Sequence, residues 1–298
     1  MNKWKTNNIP DLSGKTAIVT GGNIGLGYQI VLELAKKNAN VIIACRTKSK
    51  GLKAIEKIEQ SLNRRMKLDV IELDLTNLHS IRAFASEISQ KYHQLDILIN
   101  NAGVVNLANR EETRDGYEMQ MAINHFGHFA LTGLLIPIIR KTPNSRVVTM
   151  SSLSYKFGNI DFDDLNWRKR SYDRAKSYGD SKLANMLFTM ELQRYFEEHN
   201  ISAISVAAHP GLSATERQQS IGMGGRLSKM IAQSVEMGAL PALMAGTAPQ
   251  VKGGELFGPR WLIRGYPTKE KVKPAVYDKK LSEKLWKTTE QITGIVYN

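Results

Sequence analysis

Tyr178 and Lys182 stand four residues apart in a stretch with helical periodicity. Four residues is close to one helical turn, so the two side chains share a face about 6 Å apart along the axis. A phenol beside an ammonium group suits proton transfer. A free tyrosine titrates near ~10, which leaves only about 0.1% phenolate at neutral pH. A cation within hydrogen-bonding range lowers such a value by about 1–3 pH units. That moves a phenol toward giving a proton to a forming alkoxide, or taking one from an alcohol. Tyr and Lys at this spacing also recur by chance, so the pair takes its meaning from its surroundings.

A second group has a different chemistry. Thr20-Gly21-Gly22-Asn23-Ile24-Gly25-Leu26-Gly27 lies between a short apolar run and a helical pattern. Glycine is required where a chain turns sharply, where backbone approaches a phosphate, and where helix touches strand. A helix starting there offers free N–H groups and a partial positive charge to a pyrophosphate. Strand, turn and helix in that order are the context that gives a glycine pattern meaning as a nucleotide site.

The elements that must position these groups follow from hydrophobic patterning. Near-continuous apolar runs at 16–20, 40–45, 69–72, 95–100, 146–150 and 201–207 read as strands covered on both faces. Helical stripes at 26–37, 78–91, 117–140 and 178–198 alternate with them. Such alternation implies right-handed crossovers and an α/β fold: a doubly wound parallel sheet of the Rossmann kind, with helices on both faces. With no linker and no internal repeat, residues 1–298 read as one domain. Segments 153–177 and 208–234 break the rhythm. Both follow strands at the carboxyl edge, where such sheets bind ligands, and are candidate substrate loops. The alternative is that they are surface decoration. The end of the chain, with Trp261, Tyr266, Pro267 and an amphipathic stretch at 281–292, could cover the pocket or serve packing.

Glycines at 21, 25 and 27 give G-x-x-x-G-x-G rather than the commoner dinucleotide spacing. With this pattern stand Asn100-Asn101-Ala102-Gly103 after the fourth strand and Asn124 in the next helix. Ser151-Ser152 follow the fifth strand, then Tyr178-Gly179-Asp180-Ser181-Lys182, and His209-Pro210-Gly211 followed by Thr215. On these six ordered landmarks the chain resembles the short-chain dehydrogenase/reductase superfamily over roughly residues 12–260. The separation of Ser152 and Tyr178 is about twice that of the shortest members. The insertion between them resembles that of the retinol-dehydrogenase-like and WW-domain-oxidoreductase-like branch. Light-dependent protochlorophyllide reductases share it, but their active-site cysteines are Ala184 and Leu212 here.

The resemblance implies an enzyme that moves hydride between a nicotinamide cofactor and a carbonyl/alcohol pair of a small, apolar molecule. It implies a catalytic set of Asn124, Ser152, Tyr178 and Lys182. Ser152 holds and polarises the substrate oxygen, with Ser151 as the structural alternative. Asn124 matches a residue that holds a water linking the lysine to solvent, or else simply bonds backbone within its helix. For cofactor binding it implies Gly21, Asn23, Ile24, Gly25, Gly27, Arg46, Asp74, Leu75, Asn101, Ala102, Gly103, Pro210, Gly211 and Thr215, besides Tyr178 and Lys182. Arg46 stands where an acidic residue would bond the ribose of NAD, and a guanidinium there suits the 2′-phosphate of NADP. NADPH is therefore expected over NADH; the alternative is a solvated Arg. Asp74 matches a contact to adenine, or else caps the helix that follows. A nucleotide-binding sensor without turnover is the competing reading, because fold alone does not dictate activity.

Composition narrows the partners. The net charge of +13 raises nucleic acid or an anionic surface as partners. The basic residues are spread along the whole chain, which fits a solvated surface that draws in an anionic cofactor, and no nucleic acid is expected. One cysteine, Cys45, allows no internal disulfide and reads as a small buried hydrophobe. No apolar leader is visible, no run of 18 apolar residues suggests a membrane span, and no metal is called for. The expected setting is cytoplasmic; homodimer and monomer remain open.

Overall fold

The computed structural model describes residues 3–212 and 233–297. The strands are β1 (Thr16–Thr20), β2 (Asn40–Cys45), β3 (Leu68–Glu72), β4 (Ile97–Asn100), β5 (Arg146–Met150), β6 (Ile204–Ala208), β7 (Leu256–Pro259) and β8 (Pro267–Glu270). They form one sheet in the order β3-β2-β1-β4-β5-β6-β7-β8. Every pairing is parallel except that of β7 with β8, an antiparallel edge that the apolar runs had not announced.

Continuous apolar strands have a direct cause here. Val19, Val41, Ile43, Ile99 and Val148 face one layer, containing α1 (Gly25–Lys36), α2 (Lys48–Leu62) and α7 (Val235–Thr247). Their neighbours Ile18, Ile42, Leu98 and Val147 face the other, containing α3 (Leu78–Lys91), α5 (Gly127–Lys141) and α6 (Arg174–Glu198). Each strand therefore buries odd and even positions alike.

The order reverses at β1, whose neighbours are β2 on one side and β4 on the other. At that switch point the crossovers leave in opposite directions and a crevice opens beyond the carboxyl ends of the strands. The glycine turn follows β1, Arg46 follows β2, Asn101 follows β4, Ser151 follows β5 and His209 follows β6.

The helix before β5 is not uniform. A short α4 (Met119–Met121) runs into a π-helical stretch, Ala122–Phe126, and then α5. Gly127 donates its N–H to the Ala122 carbonyl, one residue farther back than an α-helix allows. The whole span Met119–Lys141 is long and apolar enough to cross a membrane by length and composition, which the search for an unbroken apolar run had not anticipated. Within the fold, 89% of its most apolar window is buried, the condition of a core helix.

The C-terminal helix α8 (Lys279–Thr293) serves packing. Trp286 stacks on Phe188 and Tyr195 at 5.9 Å, meets Phe129 edge-on at 5.0 Å, and lies 4.3 Å from Tyr297. The buried Tyr297 hydroxyl donates to the Phe129 carbonyl at 2.7 Å. Trp286 is half-buried, so Trp286→Ala should destabilise toward the lower end of the about 3–5 kcal/mol known for aromatic truncations in cores. Denaturant unfolding measures this; a loss under about 1 kcal/mol would show that the segment lies outside the cooperative core.

Candidate active site

Gly21 has φ +64° and Gly25 φ +57°, the left-handed region in which a side chain is strained. Gly27 has a different reason to lack one. A Cβ there would run into the Gly21 carbonyl oxygen and stand 2.7 Å from the Asn101 amide nitrogen. The first helix can approach the turn only through glycine.

The turn is tied across the switch point by Thr20. Its hydroxyl oxygen accepts the Asn101 and Ala102 N–H groups at 2.8 and 2.9 Å. The Asn101 side chain donates to the Thr20 carbonyl at 2.8 Å. These bonds hold the segment after β4 against the end of β1 and define one wall of a cleft of about 610 Å³.

Of the expected cofactor residues, Gly21, Asn23, Ile24, Gly25, Gly27, Arg46, Asp74, Leu75, Asn101, Ala102, Gly103 and Pro210 line this cleft, together with Tyr178 and Lys182. Gly211 lies outside its wall: at φ +66° it donates its N–H to His209 Nδ1, and a Cβ would stand 2.5 Å from the Ile263 carbonyl oxygen. His209 in turn meets Glu270 of β8 at 2.9 Å, so the antiparallel edge anchors this loop. Thr215 lies outside the described residues. Asp74 faces the cleft, and its carboxylate accepts from the Thr76 N–H and hydroxyl at 2.9 and 2.7 Å. It does not cap the helix that follows, where Asn77 accepts the His79 N–H.

Lys182 and Tyr178 are both buried on α6. The Lys182 ammonium donates to the Met150 carbonyl at 3.2 Å and lies 5.5 Å from the centre of the Tyr178 ring. The two serines differ. The Ser151 hydroxyl donates to the Lys182 carbonyl at 3.0 Å, while the Ser152 hydroxyl accepts the Ser154 N–H at 3.3 Å and donates to the Ser154 hydroxyl at 3.4 Å. Ser151 is on the cleft wall, whereas Ser152 is not among the lining residues and caps the short 3-10 helix Leu153–Phe157. Asn124 sits in the π-helical stretch, fully buried. Its amide accepts from the Val104 N–H at 2.9 Å and donates to the Val104 carbonyl at 3.0 Å and to the Ser181 hydroxyl at 2.9 Å. A Cβ on Gly103 would stand 2.9 Å from the Asn124 amide oxygen and 3.7 Å from the Lys182 nitrogen.

Several lining residues had not been singled out in the sequence. Thr47 and Lys50 join Arg46 at the start of α2, giving one end of the cleft two cations and a helix N-terminus. The run from Cys45 to Lys50 carried that signal, but only the helix brings Lys50 round to Arg46. Val104, Val105, Ile123 and Met150 add apolar lining to the cleft. Cys45 is buried as expected, with its thiol pushed up by burial, and it also touches the cleft.

The insertion 153–177 is fastened to the helix that carries Tyr178. Asp180 accepts the Asn159 N–H at 2.8 Å and pairs with Arg170 at 3.1 Å. Arg170 stacks 3.6 Å over the Trp167 ring and also faces Asp164. Burial pushes the Asp164 carboxyl up, but the backbone N–H groups of Arg168, Arg170 and Lys169 outweigh it and hold it below its ordinary value. Burial pushes Asp180 up to about 6, against the opposing pull of the Asn159 N–H and Arg170.

Within the chain, residues 15–224 match the short chain dehydrogenase family. The chain is 36% identical to human retinol dehydrogenase 13 over 296 residues, covering 95% of this chain and 86% of that protein. It is 35% identical to human retinol dehydrogenase 14, covering 96% and 88%. It is 34% identical to a polyprenol dehydrogenase of Danio rerio, covering 96% and 89%. A crystal structure of an uncharacterized protein from Mycobacterium paratuberculosis superposes with a TM-score of 0.84 at 34% identity, each chain covered fully. A Pseudomonas aeruginosa RhlG/NADP complex shares the fold, with a TM-score of 0.66 at 22% identity over 83% of this chain and 95% of that one.

Because the folded protein holds the Asp180 proton more tightly than the unfolded chain, the sign of its pH effect is fixed. Its contribution is full below about pH 4 and is lost as the pH rises through about 6. Asp180→Asn, neutral throughout, should therefore flatten the decline of stability between about pH 4 and 7 relative to the parent protein. Thermal melts across that range measure it, and an unchanged slope would refute the assignment.

Proposed function

This chain belongs to the short chain dehydrogenase family, on its retinol-dehydrogenase-like branch, and is an oxidoreductase; from that premise we propose an NADP-dependent enzyme in which Tyr178 exchanges a proton with the carbonyl/alcohol pair of an apolar small molecule. The observation that carries this reading is that Tyr178 and Lys182 line the same cleft as the glycine turn and Arg46.

The residues fit such a cofactor. Arg46 and Lys50, at the start of α2, suit a 2′-phosphate, for which a guanidinium offers a planar pair of donors. The turn 21–27 suits a pyrophosphate. Pro210, Tyr178 and Lys182, in the same cleft, would hold the nicotinamide. When bound, the nicotinamide supplies or accepts the hydride.

The chain's own groups do the rest. Tyr178 gives its hydroxyl proton to the substrate oxygen, or receives one from it in the reverse direction. The Lys182 ammonium, held by the Met150 carbonyl, stabilises the negative charge that the phenol acquires. Ser152 holds the substrate oxygen, since the Ser151 hydroxyl is engaged by the Lys182 carbonyl. Asn124 acts by position, tying the Val104 main chain to Ser181 beside Lys182. The apolar wall of Val104, Val105, Ile123 and Met150 suits a hydrocarbon-rich alcohol or aldehyde, in keeping with the retinol and polyprenol in the names of relatives. The insertion 153–177 and the segment 208–234 are the proposed substrate loops. A single buried thiol supports a reducing, cytoplasmic setting. A sensor without turnover has no use for a buried phenol beside a buried ammonium in the cofactor cleft, which favours the enzyme.

Loss of NADPH absorbance against a panel of apolar aldehydes tests the reading. Tyr178→Phe should reduce turnover by about 10²–10⁴ while binding NADPH as the parent does; normal turnover would remove the proton-transfer role. Arg46→Ala should weaken NADPH by about tenfold or more and leave NADH nearly unchanged, whereas equal weakening would remove the NADP assignment.

A further inference from the structure

His128 lies on α5, one helical turn beyond Asn124, with its ring buried. Its Nε2 is 2.9 Å from the Thr20 hydroxyl oxygen, and its Nδ1 is 3.2 Å from the Asn124 carbonyl oxygen. A carbonyl only accepts, so Nδ1 carries the proton, and in a neutral ring Nε2 is then the acceptor. The Thr20 oxygen leads to the same answer. Both its lone pairs are taken by the Asn101 and Ala102 N–H groups, so its own proton must point outward. Nε2 is the nearer of its two acceptors, the other being the Ile99 carbonyl at 3.4 Å. The arrangement with His128 neutral and Nδ1 protonated satisfies every donor and acceptor along this line, the Asn101 N–H being shared between Thr20 and the Ile99 carbonyl. Burial and the nearby Lys182 ammonium both favour that state.

The line continues at each end. Beyond Thr20 lie the glycine turn and the Asn101–Ala102 segment. Beyond Asn124 its side chain holds Val104 and Ser181, and Ser181 donates to the Tyr178 carbonyl at 2.8 Å. We propose that His128 is a positioning residue: through the Thr20 hydroxyl it sets the Asn101–Ala102 wall of the cofactor cleft relative to the π-helical stretch and the helix bearing Tyr178 and Lys182. Without the ring, the Thr20 proton turns to Ile99 and the wall after β4 loses its link to the helix layer. The residue touches neither cofactor nor substrate.

This inference rests on the cleft being a nicotinamide dinucleotide site, and the experiment separates the two. NADPH is titrated into the full-length protein and its fluorescence followed, with no turnover required. If the parent protein binds no NADPH, the site reading itself fails. Given parent binding, His128→Phe should weaken NADPH by about tenfold, as should Thr20→Val, and the double variant should be no weaker than the worse single one. His128→Gln, whose amide oxygen can accept from Thr20 and whose NH₂ can donate to Asn124, should recover most of the affinity, and Thr20→Ser should bind as the parent does. His128→Phe binding within about twofold of the parent would overturn the proposal. So would additive losses in the double variant, or His128→Gln behaving no better than His128→Phe. Should His128→Phe fail to fold, the proposal rests on an alternative pair, His128→Asn and His128→Gln. His128→Asn, too short to reach both Thr20 and Asn124, should weaken NADPH by about tenfold while His128→Gln should not, and equal binding by the two would overturn it.

Discussion

The site depends on a single seam. Where β1 ends and the sheet reverses direction, the Thr20 hydroxyl and carbonyl take up the first backbone and side-chain donors after β4. A parallel sheet gives each strand end a carboxyl edge with unsatisfied groups, and a crevice at the switch point would leave them bare. Thr20 satisfies them from across the crevice, so the two walls are held apart and in register at once. The glycine turn and Gly27 then bring the start of α1 to the same place, because nothing larger than hydrogen fits between Gly27 and the Gly21 carbonyl.

The cleft lining combines Arg46 and Lys50 at a helix start, the backbone and small residues of the glycine turn, a buried phenol and ammonium, and the apolar Val104, Val105, Ile123 and Met150. A buried cation is expensive unless it is bonded, and Lys182 is held by the Met150 carbonyl at the end of β5. The π-helical stretch contributes by where it sends Asn124: its side chain is spent on Val104 and Ser181, which joins the loop after β4 to the helix of Tyr178. The insertion is fastened to the same helix, since Asp180, two residues from Tyr178, accepts from its backbone and from Arg170.

Much of this was legible in the sequence. Strands 16–20, 40–45 and 146–150 and the helix 78–91 fall where patterning put them, because burial on both faces or along one stripe leaves a periodic trace. Four elements left less trace. α2 buries only Gly51, Ala54 and Ile58 of its fifteen residues, a stripe too thin to stand out among its lysines. α7 is apolar nearly all round, so it has no polar face to mark a period. β7 and β8 have four residues each, and their antiparallel pairing depends on where the chain returns rather than on local pattern.

The sequence by itself determined the types: a glycine turn after a strand, a tyrosine and lysine one turn apart, two serines after another strand, an arginine after a third. Those choices are local, dictated by what a turn, a helix face or a strand end can accept. Only the tertiary structure decided which serine is spent, when Ser151 met the Lys182 carbonyl, and that Lys50 joins Arg46. It also decided that the C-terminal helix belongs to the core and that His128 bridges Thr20 and Asn124. A hydrogen bond between residues 108 positions apart has no signature in spacing. It exists because the sheet order sets β1 beside β4 and lays α5 across them.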